Sequence, residues 1–385
     1  MKNFDYILTG GGMAGLSLAY HMLNSPLKHK KVLIIDREPK TENDRTWCFW
    51  TKDNTLYDPI LYRDWDKLDF HGPGFSKTFH LAPYRYKMLR GIDFYTHTQA
   101  ALRQVENFPF LYGDVESITS HADGASVTVD GQHYQADWVF DSLFLPGEFH
   151  PQSEKYHYLW QHFKGWVIKS EAPVFTPDIP TMFDFRTPQD GAMRFIYILP
   201  FSPNEALVEI TLFSGELLTD EAYDRAIKGY IQEHLGNTPY RVTEVEQGKI
   251  PMTDQPFPRF PAPFHMTIGT KGGRVKASTG YAFWRTQHDS RAIVDSLIKH
   301  GDPTRIPSDR KRARMFDSLM LEVMDKNGGR MADIFTAMFR KNRIQRIFRF
   351  LDEESSLLDE LGIVTSVPPG PFLKALKQTG IRPGK

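Results

Sequence analysis

Apolar and polar positions change period several times along the chain, and each change marks an element. Phe4-Asp5-Tyr6-Ile7-Leu8 is a short apolar run, as expected of a buried strand. Glycines follow at 10, 11, 12 and 15, and the spacing turns helical over Leu16–Leu23, with Pro26 beyond its end. Lys31–Asp36 is a second apolar strand that closes on an acid, so the opening reads as a β-α-β unit. Between Val115 and Val139 short alternating runs, at Val127-Thr128-Val129 and His133–Val139, predict a β-meander. Strand-like runs recur from Gly165 to Phe213, including Arg194–Leu199 and Ala206–Phe213, and predict a second, mostly antiparallel sheet. Helical spacing returns over Asp220–His234. Pro251, Pro256, Pro258, Pro261 and Pro263 predict an extended crossing back to the first unit between Ile250 and Phe264. A turn rich in Gly, Ser and Thr spans Gly269–Gly280, and a helix follows over Arg285–His300. Helical spacing continues through Met315–Met324, Ile334–Phe339 and Ile344–Leu351.

These periods divide the chain. Residues 1–70 and 71–145 form a nucleotide-binding unit with its meander, 146–264 an antiparallel-sheet substrate domain, 265–305 a return segment, and 306–385 a helical C-terminal region. The class is α/β. Of 385 residues 41% are hydrophobic, enough for a sizeable core. The aromatic share of 13%, with 28 Phe, fits either core packing or a pocket for a long apolar ligand. Basic and acidic residues both number 47, so no global field recruits nucleic acid. A local basic run, Arg340, Lys341, Arg343 and Arg346, remains. The one cysteine, Cys48, allows no disulfide and no Cys-based metal site within the chain, which fits a reducing cytoplasm; no metal is expected. No apolar stretch reaches the roughly 18–20 residues of a membrane-spanning helix, and the N-terminus has no signal-peptide pattern. A cytoplasmic protein, soluble or peripheral to a membrane, is expected.

The candidate chemistry begins at Gly10-x-Gly12-x-x-Gly15. By itself the pattern is weak, but a strand precedes it, a helix follows, and Asp36 ends the next strand. Gly10 permits the tight turn, Gly12 lets backbone approach a pyrophosphate, and Gly15 lets helix and strand pack closely. Met13 and Ala14, within the glycine run, join the cofactor contacts, the N–H groups at the helix N-terminus suit phosphates, and Asp36 can accept from a ribose hydroxyl. NAD and FAD share this fingerprint; its place at the start of the chain favours FAD. Met88-Leu89-Arg90, before Phe94 and a helix near Thr98–Val105, resembles a signature of the glutathione-reductase superfamily in which an arginine reaches the flavin nucleotide. Thr267-Ile268-Gly269 through Ser278-Thr279-Gly280-Tyr281 resembles that superfamily's late glycine motif, without its usual Gly-Asp pair (here Gly269-Thr270). The resemblance implies a Rossmann-like FAD-binding domain with an inserted antiparallel-sheet substrate domain.

With these segments placed, the chain resembles the FAD-dependent lycopene cyclases of bacteria and plants. The resemblance is carried by Asn43-Asp44-Arg45-Thr46-Trp47-Cys48-Phe49-Trp50 and by Phe183-Asp184-Phe185-Arg186 with Phe195–Phe201. It continues in Ala206-Leu207-Val208-Glu209-Ile210-Thr211, in Ser278–Tyr281 with Arg285-Thr286, and in Phe348-Arg349-Phe350-Leu351 and Pro368-Pro369-Gly370-Pro371-Phe372. It implies a redox-neutral reaction in which a proton closes the linear ends of lycopene into β-rings. Reduced FAD would assist, with NAD(P)H as reductant, and no second nucleotide fingerprint is present for a bound nicotinamide. The substrate dissolves in lipid, so peripheral membrane contact is expected, with an apolar tunnel mouth near the aromatic segments or the C-terminal helices and with Phe339–Phe350 as the candidate anchor. The alternatives are an FAD-dependent monooxygenase or an isoprenoid reductase on the same fold, or a non-catalytic carotenoid-binding flavoprotein.

Such a reaction needs an acid that keeps its proton, stabilisation of a cation, and exclusion of water. Glu209 lies in an apolar strand where burial would hold its proton, although alternation also permits it to face outward. The resemblance assigns it the role of acid or cation stabiliser. Asp184 and Arg186, two apart on a strand, share a side and could shape the pocket, hold the flavin or form a structural ion pair. Trp47, Phe49, Trp50, Tyr197, Tyr281, Phe283 and Trp284 could face a cation with their rings or simply fill the core. The resemblance adds Arg45, Arg90, Gly280 and Tyr281 to the flavin contacts.

Overall fold

The computed structural model describes residues 4–144 and 147–378. The β-α-β opening forms as its pattern predicts: Phe4–Thr9 and Val32–Asp36 pair in parallel, joined by the helix Met13–Leu23. Phe110–Tyr112 extends this sheet beyond Val32–Asp36, while Gln132–Asp141 pairs in parallel with the other edge of Phe4–Thr9. Gly124–Val129 and Val115–His121 complete the meander, and His265–Thr267 returns to pair with Gln132–Asp141. The helix Phe283–His300 then packs beside Met13–Leu23 over a shared apolar core.

The second sheet has seven strands. Their order is Tyr240–Thr253, Tyr158–Ser170, Glu205–Ser214, Met193–Ser202, Thr181–Asp184, Lys67–Gly72 and Phe75–His80. Two differences from the sequence reading follow. Residues 67–80 join this sheet rather than the nucleotide unit, because Thr181–Asp184 pairs in parallel with Lys67–Gly72. The prolines at 250–264 begin inside a strand, since Pro251 still pairs with Trp160. Tyr240–Thr253 is an edge strand, where a residue without an N–H is tolerated.

Alternation sorts the side chains of this sheet into two faces. Trp166, Ile168, Ala206, Val208, Ile210 and Leu212 face the helix Asp220–His234. Phe183, Phe195, Leu199, Leu207 and Phe213 face the C-terminal helices. Those helices are Lys311–Asn327, Met331–Lys341, Ile344–Leu351, Leu357–Ser366 and Pro369–Gln378, the last with Pro at its first position as expected of a helix start. A small sheet of Thr46–Thr51, Arg85–Arg90 and Arg63–Trp65 bridges the two layers.

Candidate active site

The glycine turn leaves a cradle. Gly10 sits at φ 105°, and a Cβ there would lie 2.1 Å from Ser142 Oγ. A Cβ on Gly15 would lie 1.9 Å from the Gly10 carbonyl oxygen, so this position tolerates no side chain. Gly12 faces open space, and the helix that starts at Met13 and Ala14 has no side-chain cap. Asp36 accepts from the Gly11 N–H at 2.7 Å and from the Arg37 N–H at 2.7 Å, directly beneath the turn. The return loop lies against it: a Cβ on Gly269 would be 2.5 Å from Ala14 Cβ. Lys271 pins that loop by ion pairing with Asp141 at the end of the first sheet. Burial opposes ionisation of Asp141, but His265 and Lys271 outweigh it and hold the carboxyl below its ordinary range. An uncapped helix terminus, open space before Gly12 and an acid at the ribose position fit a dinucleotide.

At the other end of the return loop, Gly280 opens into a cavity of ≈ 150 Å³. Its walls bring together Arg45, Trp47, Phe49, Trp50, Tyr197, Glu209, Gly280, Tyr281, Phe283 and Trp284, residues drawn from four separate stretches of chain. The strand Thr46–Thr51 alternates, so Trp47 and Phe49 stack toward Phe283 and Trp284, while Trp50 meets Tyr281 edge-on at 5.2 Å. Gln161 reaches the same cavity. It is 8% exposed, its Oε1 has no hydrogen-bond partner, and a Cβ on Gly280 would lie 1.6 Å from that oxygen. An orphaned acceptor beside Gly280 suits a ligand N–H, such as that of a flavin ring.

Four residues line up across the second sheet. Tyr197 pairs with Glu209, Glu209 with Gly165, and Gly165 with Glu246. All four therefore share one face, the cavity face. Glu209 accepts from Thr211 Oγ1 at 2.9 Å, Glu246 accepts from Thr46 Oγ1 at 2.7 Å, and the two carboxyl groups are hydrogen-bonded to each other. Burial, then the neighbouring Glu246, pushes Glu209 well above the usual carboxylate range. Burial likewise raises the Cys48 thiol and the Tyr86, Tyr197 and Tyr281 phenols. Asp352, on another wall, is also raised well above its ordinary value, by burial and then by Glu354. The cavity thus offers carboxylic acid and aromatic faces, and its thiol and phenols stay protonated. It can hold a proton, and it presents neither thiolate nor phenolate to a cation.

Three expected residues lie elsewhere. Arg90 donates to Asp93 and stacks on Tyr62 at 4.2 Å. Asp184 is wholly buried and forms an ion pair with Arg186, and Tyr230 donates to it. Burial works against ionisation of Asp184, but Arg186 and Tyr230 overcome it and lower its pKa. This group ties Thr181–Asp184 to the helix Asp220–His234 and lines no part of the Glu209 cavity. Asp184→Asn is expected to cost on the order of 2–3 kcal/mol, less than a fully buried pair because Arg186 is partly exposed. Thermal denaturation checks this, with an unchanged titration of Glu209 as the accompanying result.

Glu246, Gln161, Gly165 and Asp352 were not singled out from sequence. One signal was available: Gly165 interrupts a strand of bulky residues, and glycine there marks a close approach.

The family model described as lycopene cyclase protein matches residues 5–377. A lycopene beta-cyclase from a Paracoccus species is 25% identical over 399 residues, covering 98% of each chain. A chloroplastic neoxanthin synthase from Solanum tuberosum is 24% identical over 317 residues, which cover 79% of this chain and 62% of that protein. Among solved structures, a geranylgeranyl bacteriochlorophyll reductase-like protein from Thermoplasma acidophilum superposes with a TM-score of 0.61 at 12% identity, covering 98% of this chain and 100% of that one. At that identity the likeness establishes the fold.

Proposed function

The chain belongs to the lycopene cyclase family, and from that premise we propose that it converts the linear end groups of lycopene into β-rings as an isomerase. The observation that carries this reading is Glu209, a carboxylic acid held protonated in a cavity walled by Trp47, Phe49, Trp50, Tyr197, Tyr281, Phe283 and Trp284. Glu209 delivers a proton to the terminal double bond. The neighbouring alkene attacks the resulting cation, the ring closes, and a second proton leaves, so no electrons are gained or lost. The aromatic walls exclude water and turn π-faces toward the positive charge.

FAD fits the cradle at Gly10, Gly12, Met13, Ala14, Gly15 and Asp36, with Gly280, Tyr281 and Gln161 at its ring end and Arg45 beside them. Reduced by NAD(P)H, it would supply negative charge near the cation without being consumed. The test is anaerobic incubation of the FAD-loaded protein with lycopene and a catalytic amount of reductant. Cyclised product supports the reading. Product that requires O₂, or NAD(P)H consumed in proportion, would point instead to a monooxygenase or reductase.

A second cavity of ≈ 370 Å³ supports a long apolar substrate. It begins at Ser278 and Thr279, beside Gly280, and runs between Phe316, Phe335, Phe350 and Phe372. It suits the polyene tail while the end group sits at Glu209. Among the described residues no helix is long and apolar enough to cross a membrane. The expected anchor at Phe339–Phe350 is corrected by burial: Phe339, Ile344, Ile347 and Phe348 are core residues, and Arg349 pairs with Asp359. Apolar exposure lies instead on the next helices, at Leu357, Leu358, Leu361, Val364 and Leu373, with Leu358 77% exposed. Peripheral membrane contact through this stripe supports delivery of a lipid-dissolved substrate. Leu358→Asp with Leu361→Asp is expected to reduce co-sedimentation with liposomes by at least about tenfold, since each buried leucine contributes roughly 1.5–3 kcal/mol. Undiminished sedimentation would remove the stripe from the docking surface.

A further inference from the structure

The row Tyr197–Glu209–Gly165–Glu246 places two carboxyl groups on either side of a residue with no side chain. A Cβ on Gly165 would lie 3.2 Å from Glu209 Cβ and 3.2 Å from Glu246 Cγ, in the space across which the two acids meet. Each carboxyl keeps one oxygen for a hydroxyl, Thr211 for Glu209 and Thr46 for Glu246, and turns toward the other acid. Two carboxylates this close do not both ionise in a site shielded from water; one proton between them removes the repulsion and makes a strong hydrogen bond.

We propose that Glu209 and Glu246 hold a single proton between them, with Glu246 the ionised positioning residue and Glu209 the donor. This rests on the cyclase reading for what the proton does. The asymmetry comes from surroundings. A Cβ on Gly248, two residues after Glu246, would be 3.2 Å from Arg45 Nη1, so the guanidinium lies on Glu246's side of the pair. Burial raises Glu246 above its ordinary range and Glu244 on the same strand adds to this, but the hydrogen bonds to Glu209 and Thr46, and after them Arg45, favour charge there. Glu209, by contrast, is pushed well above its range and faces Tyr197 and Cys48, whose protons burial retains. Tyr86 and Tyr281, on the remaining walls, are likewise held protonated, and Asp352 is pushed toward its neutral form. The unpartnered Gln161 oxygen, on the same strand and face as Gly165, marks this row as facing a ligand.

The proton count closes. Glu209 gives its proton to the terminal alkene carbon, a C–C bond forms, and the pair becomes doubly negative beside a carbocation. That charge stabilises the cation, and the repulsion within the pair favours taking back the proton the ring releases. The pair returns to one proton with no change in electrons.

The test reads Glu209 itself. In the FAD-loaded protein, the infrared carbonyl band of a protonated carboxyl that is missing from Glu209→Gln reports its protonation against pH. In Glu246→Gln, loss of the adjacent negative charge is expected to lower the midpoint of that band by at least about one pH unit. The alkaline limit of cyclisation should fall with it. Gly165→Ala, whose methyl separates the acids, should move the midpoint in the same direction and decides the matter if Glu246→Gln does not fold. A midpoint unmoved in the folded variants, with only thermal stability lost, overturns the proposal. Failure of the wild type to cyclise lycopene would overturn the functional reading and leave the infrared titration standing as the test of the pair.

Discussion

Glu209→Gln is expected to lower the rate of cyclisation by about 10²–10⁴-fold, the range for losing a positioned general acid. The replacement keeps the shape of the side chain and can still accept from Thr211, which lies 2.9 Å from the carboxyl. What it loses is the transferable proton. Flavin binding and melting temperature should stay close to wild type, because the cradle at Gly10–Gly15 lies in the other sheet layer. Product chromatography with the flavin absorption spectrum checks both. The wild type carries the pH counterpart. Burial and Glu246 raise the pKa of Glu209, so the donor form persists to higher pH than in a free carboxyl and cyclisation declines as pH rises through that elevated value. A Glu209→Gln protein that cyclises at the wild-type rate would remove Glu209 from the role of acid.

Gly15→Val is expected to abolish FAD retention and much of the folded yield. The first atom of any side chain at this position falls 1.9 Å from the carbonyl oxygen of Gly10, a backbone atom inside a turn, so no rotamer relieves the contact. Moving the helix away would carry its uncapped N-terminus from the phosphate position and open the core around Leu16 and Leu18. Overpacking alone costs roughly 1–3 kcal/mol, and here the same shift also removes the cofactor. Absorbance of the purified protein and flavin released on denaturation measure the outcome. Full flavin content would show that the turn can relax and that the cradle is less constrained than its contacts imply.

The sequence and the structure agree best where one local rule suffices. The opening β-α-β unit, the meander near Val127 and the helix Asp220–His234 each follow from an uninterrupted period, and all three form where expected. The aromatic group was also legible, because Trp47, Phe49 and Trp50 crowd into one short strand. Glu246 was not. Its strand, Tyr240–Thr253, is an exposed edge in which Arg241, Glu244 and Glu246 resemble ordinary solvated charges. Glu246 became part of the site only through its register with Gly165. Arg90 shows the reverse: a motif position whose side chain is engaged by Asp93, three residues on, and by Tyr62.

Local chemistry in the chain determined the nucleotide turn, because Gly10, Gly11 and Gly15 each answer to a contact within a few residues or at a neighbouring strand, and Gly12 to the open space a phosphate needs. It also determined that one acid would sit in an apolar strand. The direction that acid faces, and whether it stands alone, were decided by tertiary structure. Pairing of Glu205–Ser214 with Tyr158–Ser170, and of Tyr158–Ser170 with Tyr240–Thr253, brings residues 209, 165 and 246 into one row. A shift of one residue in either pairing would turn a carboxyl to the opposite face. Burial of the C-terminal helices was decided in the same way. The basic, phenylalanine-bearing segment that looked like an anchor packs Phe339 on Phe70 of the second sheet and Phe348 on Trp50 of the small one, and the exposed leucines at 357, 358 and 361 fall on the helix after it. Periodicity names an element's apolar face, but only packing decides whether protein or solvent covers it.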